Sequence, residues 1–149
     1  MKLLKLYQWI AGKLTEFCAP FQNNESLYQQ ARAFWGKLEG ISTILLIIAL
    51  VIGVLFAVIY YKPYNNKPGR HYTPKHWIIF LFITFVMAFL LTLGFEYISV
   101  APHLKGALLL ETKIALGNGI YAAALYFIVS VLWCKVLYNV FPTNAYRWL

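Results

Sequence analysis

Residues 41–61 read ISTILLIIALVIGVLFAVIYY, a run of 21 without a charge and with Ser42 and Thr43 polar near its start. At roughly 1.5 Å per residue a helix of this length is about 32 Å long, enough to cross a hydrocarbon core of about 30 Å. A bilayer core offers no water to backbone amides, so such a run must close its hydrogen bonds within a helix. Residues 77–97, WIIFLFITFVMAFLLTLGFEY, repeat the pattern and stay uncharged until Glu96. A third apolar stretch is interrupted by Asn118, Ser130 and Lys135. Its clean part, 120–134, falls short of a full crossing. Lys135 at its end can snorkel to the headgroups and Asn118 can face a neighbouring helix, which predicts a span over 115–137. Residues 98–113 then form an interfacial or re-entrant connector, broken near its start by Pro102.

The composition agrees with three crossings. Of 149 residues, 61% are hydrophobic and 12% charged, whereas soluble domains carry about 25% charge. That excludes a soluble globule and a disordered chain, and two cysteines are too few for a disulfide scaffold. Cys18 and Cys134 read as small apolar side chains. The 13 basic residues outweigh 5 acidic ones, but they leave the orientation open. The N-terminal tail and second loop together carry seven Lys and Arg, against six in the first loop and C-terminal end.

Ahead of the first span, Leu3, Tyr7, Ile10, Leu14, Phe17 and Phe21 are spaced four, three, four, three and four apart, which lines one helical face. Lys2, Lys5, Gln8, Lys13 and Glu16 fall mostly on the other. After Ala19 and Pro20, Asn24 is placed to cap a second helix with Glu25 in its first turn. Leu27, Ala31, Phe34 and Leu38 mark its apolar side, and Gly40 its junction with the span. The expected fold is an all-α membrane protein: three transmembrane helices (41–61, 77–97, 115–137) within a bundle of 41–140. An amphipathic helical hairpin over 1–40 precedes it, and a short tail over 141–149 follows. The start, MKLLKLYQW, is interrupted by Gln8 and Lys13 and does not read as a cleaved signal.

Groups able to do chemistry are few. His71 and His76 lack the further ligands a zinc site needs, so no metal and no cofactor is expected. Lys62 and Arg70 approach a lipid-phosphatase pattern, but the spacing is one too long and no proline follows Arg70. There is no HExxH, no Gly-x-Ser-Gly and no phosphate-binding glycine loop ending in Gly-Lys-Ser/Thr. The reading is therefore not an enzyme. Glu96, at the membrane end of the second span and beside His103, is the one intramembrane acid that suggests proton or ion handling. It is expected to reach water there.

Two features point to assembly. Ala49, Gly53 and Ala57 are four apart in the first span, and Ala115, Gly119 and Ala123 four apart in the third, with Asn118 alongside. Such small-residue strips let helix backbones approach closely. They serve either other subunits or the packing of spans one and three. The first loop carries Lys62, Lys67, Arg70 and Lys75 with no acid, interleaved with aromatic rings up to Trp77. It reads as a headgroup-level segment for anionic lipid or a partner's acidic surface. Nucleic acid is not an expected partner, since no folded reader accompanies the charge.

These features lead to an integral membrane protein, in the cytoplasmic (inner) membrane if the chain is bacterial. Its expected partners are membrane lipids and other membrane-protein subunits or further copies of itself. The leading expectation is a non-catalytic subunit that anchors or assembles a larger envelope complex, such as a secretion or translocation machine. The rival is a small immunity-type or regulatory protein acting on a pore-forming toxin or a channel.

Overall fold

The computed structural model describes residues 3–64, 74–101, 104 and 106–134, and every regular element among them is helical. Two short helices, α1 (Gln8–Ala11) and α2 (Leu14–Cys18), lie between 3-10 turns at Leu3–Tyr7 and Ala19–Phe21. Three long helices follow: α3 (Glu25–Ile59), α4 (Pro74–Ser99) and α5 (Ala107–Leu132). All three are long and apolar enough to cross a membrane. The part of the first loop bearing Lys67, Arg70 and His71, the residues Pro102, His103 and Lys105, and the chain from Lys135 onward lie outside the described residues.

The N-terminal apolar face is present, but not as one helix. Gly12 ends α1 with φ of +81°, a conformation that costs glycine little and other residues more. The chain restarts at Lys13, whose amide donates to Glu16 Oε2 at 3.0 Å. Tyr7 is buried and Ile10, Leu14, Phe17 and Phe21 are half-buried, while Lys5, Gln8, Lys13 and Glu16 are exposed. The spacing thus reports which side chains turn inward, not whether the backbone is continuous.

Nor is there a hairpin with a second separate helix. Asn24 Oδ1 accepts from the amides of Ser26 and Leu27 at 3.1 and 3.3 Å, capping α3. From there the helix runs unbroken through Gly36 and Gly40 into the span. A single helical glycine costs about 1 kcal/mol, too little to stop a 35-residue helix that contains no proline. Pro63, a residue that disfavours helix interiors, lies within a wide π turn, Tyr60–Tyr64. The third long helix begins at Ala107, eight residues before the expected start. Glu111 and Lys113 suggested a connector there, but they lie inside the helix.

The described chain separates into two compact units. One comprises the residues up to Ile47 with Phe89–Asn118; the other comprises Ile48–Ala88 with the residues from Gly119. In the first, Phe17 meets Phe34 and Trp35 at ring distances of 6.0 and 5.9 Å, around buried Ala31 and Leu38. Lys37 Nζ donates to the carbonyl of Ala101 at 2.7 Å.

In the second unit, Ala49, Ile52, Ala88 and Ala122 form a core of small and branched side chains. A β-carbon on Gly53 would stand 2.8 Å from the carbonyl oxygen of Ala122. One on Gly119 would stand 2.9 Å from the Phe85 ring. A second cluster gathers Ala57, Tyr60, Tyr61, Trp77, Tyr126 and Cys134. Trp77, expected at headgroup level, is 4% exposed. Its indole N–H donates to Ser130 Oγ at 3.2 Å, and that hydroxyl donates on to the Tyr126 carbonyl at 2.7 Å. A buried indole with a satisfied N–H is a packing residue here.

Gly53→Leu and Gly119→Leu should each destabilise the isolated protein by about 1–3 kcal/mol through overpacking. Gly94→Ala, with nothing within 4 Å of the added carbon, should be neutral or slightly stabilising. Unfolding in mild detergent, followed by circular dichroism, checks all three.

Candidate functional site

The first unit contains a buried line of polar side chains. It starts from Asn118, on α5 and 0% exposed. Its amide Nδ2 donates to the backbone carbonyl of Leu45 and to Thr92 Oγ1, both at 2.6 Å. Its Oδ1 accepts from the hydroxyl of Tyr7 at 2.7 Å. One asparagine thereby joins the N-terminal segment, α3, α4 and α5. Tyr7 is itself 0% exposed. The chain makes room for its ring at Gly117, where a β-carbon would lie 3.2 Å from Tyr7 Cδ1.

One helical turn from Thr92 on α4 stands Glu96, and two turns from Asn118 on α5 stands Glu111. Both are buried, at 0% and 1% exposure, and their charges act on each other. Neither carboxylate oxygen of Glu96 has a hydrogen-bond partner among the described residues. Glu96 was expected to reach water from the helix end. The packing of α5 from Ala107 onward removes that access, because the helix begins early enough to bring Glu111 alongside. Two of the five acids in the chain are therefore buried together in one polar line. Such a line can hold a proton or accept a cationic group.

Comparison with protein-family models, curated proteins and solved structures finds no match. The geometry of the chain has to carry the functional reading by itself.

The residues singled out by sequence separate accordingly. Ala49, Gly53, Ala57, Ala115, Asn118 and Gly119 are all buried, and Ala123 is half-buried. Gly53 and Gly119 are filled by this chain's own helices, so their close approach is made internally. Lys62 and Lys75 are exposed, while Lys67 and Arg70 lie outside the described residues. Among the described residues no three His, Cys, Asp or Glu side chains gather as metal ligands. Cys18 and Cys134 are both free and buried. Burial pushes the Cys18 thiol up, and the positive charge of Arg32 offsets this in part.

Sequence reasoning missed Tyr7 and Thr92 as partners of Asn118, and Glu111 as the neighbour of Glu96. It also passed over Gly36 and Gly40 as a strip. Both are exposed, with nothing within 4 Å of an added β-carbon. Their four-residue spacing was readable. Gly40 reads in the sequence as the junction with the span, and the apolar spacing of Leu27, Ala31, Phe34 and Leu38 draws attention to the other residues of the segment.

Removing the Tyr7 hydroxyl leaves Asn118 Oδ1 buried and short of its donor. Tyr7→Phe should therefore cost about 1–3 kcal/mol in detergent unfolding. Glu96→Leu should have the opposite sign and raise the unfolding midpoint, since it removes a buried carboxylate without hydrogen-bond partners among the described residues. Alkylation of Cys18 by a maleimide at pH 7.5 should be many-fold slower in the folded protein than after denaturation, read by mass spectrometry.

Proposed function

We propose that this chain is a non-catalytic integral membrane subunit that assembles with other membrane proteins into a larger envelope complex, of the secretion or translocation kind. The observation that supports this most is the open strip of Gly36 and Gly40 on α3. The other small-residue strips are consumed by the chain's own packing, whereas this one presents bare backbone where α3 enters its uncharged run. Lipid gives helices no hydrophobic reason to associate, so close backbone approach is what a partner helix gains there. Lys37 and Glu39 place the strip at the membrane boundary, where a partner's polar side chains can also reach it. α4 adds to the uncovered surface, since only 17% of its apolar stretch is buried against 44% for α5.

A second reading, proton or ion handling, is favoured by the burial of Glu96 beside Glu111. An ionisable group within a span is expensive to keep and is a functional candidate for that reason. In this reading Glu96→Gln abolishes activity in the cell while insertion and assembly persist.

Purification of the native protein in mild detergent tests the leading reading. A large particle containing several proteins is the expected result, and a lone monomer would sink it. The double substitution of Gly36 and Gly40 by leucine should shift the chain out of that particle. The unfolding midpoint of the isolated protein should stay within a few degrees, because no neighbour meets the added side chains. A particle unchanged by the double substitution would mean that this strip faces lipid.

A further inference from the structure

A cavity of about 740 Å³ lies in the first unit, between the N-terminal segment and the first turns of α5. Its apolar walls are Trp9, Ile10, Phe17, Phe21, Leu109 and Leu110. Trp9 and Leu109 are themselves 58% and 65% exposed, so the apolar lining continues onto the outer surface. The volume falls within the range of sites for small organic molecules. Only a few polar groups enter it, and two of them carry opposite charges.

These are Glu16 on α2 and Lys113 on α5. Glu16 uses Oε2 to accept from the Lys13 amide. Among the described residues its other oxygen takes no hydrogen bond, and Lys113 makes no hydrogen bond or ion pair. The two charges line one cavity without neutralising each other. Lys113 stands six residues into α5, about 9 Å along the helix, and α5 carries no further charge after it. Such a position suits headgroup level, with a cationic and an anionic group above an apolar pocket.

We infer that this cavity binds one zwitterionic glycerophospholipid. Its phosphate would lie at Lys113, its headgroup ammonium at Glu16, and the upper part of an acyl chain against Phe17, Phe21 and Leu110. An anionic lipid such as phosphatidylglycerol would leave the Glu16 carboxylate facing a neutral glycerol in place of a cation. An uncharged lipid would leave both groups without a partner. Each mismatch forfeits a charge-assisted contact, enough to weaken binding by about tenfold or more.

The test uses the full-length protein in a non-ionic detergent, with lipid binding read by native mass spectrometry and by shift of the unfolding midpoint. Phosphatidylethanolamine should bind as a single retained lipid and raise the midpoint. Phosphatidylglycerol and diacylglycerol of the same chains should bind at least about tenfold more weakly. Glu16→Gln should reduce the preference for phosphatidylethanolamine over phosphatidylglycerol, and Lys113→Gln the preference for phosphatidylethanolamine over diacylglycerol. The glutamine oxygen keeps the Lys13 contact, and circular dichroism should be unchanged. Leu109→Trp, which fills the cavity without touching either charge, should reduce retention of every lipid. Equal retention of phosphatidylglycerol or diacylglycerol, or a preference unaffected by both glutamine variants, would overturn the proposal. So would no retained lipid at all.

Discussion

A polar side chain placed among apolar helices must find all its partners within the protein, because the surroundings supply none. Asn118 meets that constraint fully. Both N–H donors and the carbonyl oxygen of its amide are engaged, by Thr92, Leu45 and Tyr7. The geometry leaves little freedom: α4 has to bring Thr92 to the same level as Leu45 on α3, and the N-terminal segment has to deliver Tyr7 into the interior. The first unit is organised around this amide, and Gly117 one residue earlier exists in its shadow, leaving space for the tyrosine ring. Apolar contacts, which slide readily past one another, could not fix the register of four segments so narrowly.

Glu96 occupies the same polar line without the same settlement. Thr92 precedes it by one turn on α4 and is tied to Asn118, whereas both carboxylate oxygens of Glu96 lack partners among the described residues. Packing energetics alone would favour an apolar residue at this position. A buried carboxylate of this kind can hold a proton or meet a positive charge brought by another molecule. The second unit is settled more fully, although the buried Tyr126 hydroxyl has no hydrogen-bond partner among the described residues. Its polar atoms at Trp77, Ser130 and Thr84 are discharged into neighbouring hydroxyls or into carbonyls one helical turn earlier.

The three long apolar helices were legible in the sequence because their signal is intrinsic: apolar runs of this length without charge are long enough to cross a membrane and close their hydrogen bonds within a helix. Their ends were less legible. α5 begins at Ala107 although Glu111 and Lys113 speak against an apolar helix, because Glu111 is covered by packing that no local pattern encodes. At Gly40 and Gly12 the sequence offers the same residue with opposite outcomes. Gly40 stays in the helix because one glycine costs only about 1 kcal/mol and the residues on both sides are held in a helix of 35 residues. Gly12 leaves it because Glu16 reaches back to the Lys13 amide to start a new turn. The Asn24 cap, by contrast, depends on residues two and three positions away and was readable. The polar line was half legible: Asn118 and Glu96 stand out singly in their spans, but their partners Tyr7 and Glu111 lie 111 and 15 residues distant. The small-residue strips were visible as spacing. Which of them the chain keeps for itself is a matter of tertiary packing, and spacing is silent on that.

The bond between Tyr7 and Asn118 joins residues 111 apart in sequence, and this sets a schedule for biogenesis. A ribosome adding about 5–20 residues per second makes the tyrosine roughly 6–22 s before its acceptor. Throughout that interval the N-terminal segment has no interior to enter, since α5 has not been synthesised. In that interval an amphipathic pattern is suited to a membrane surface. The alternation of apolar and charged residues around Tyr7 therefore fits the needs of the nascent chain as well as those of the finished one.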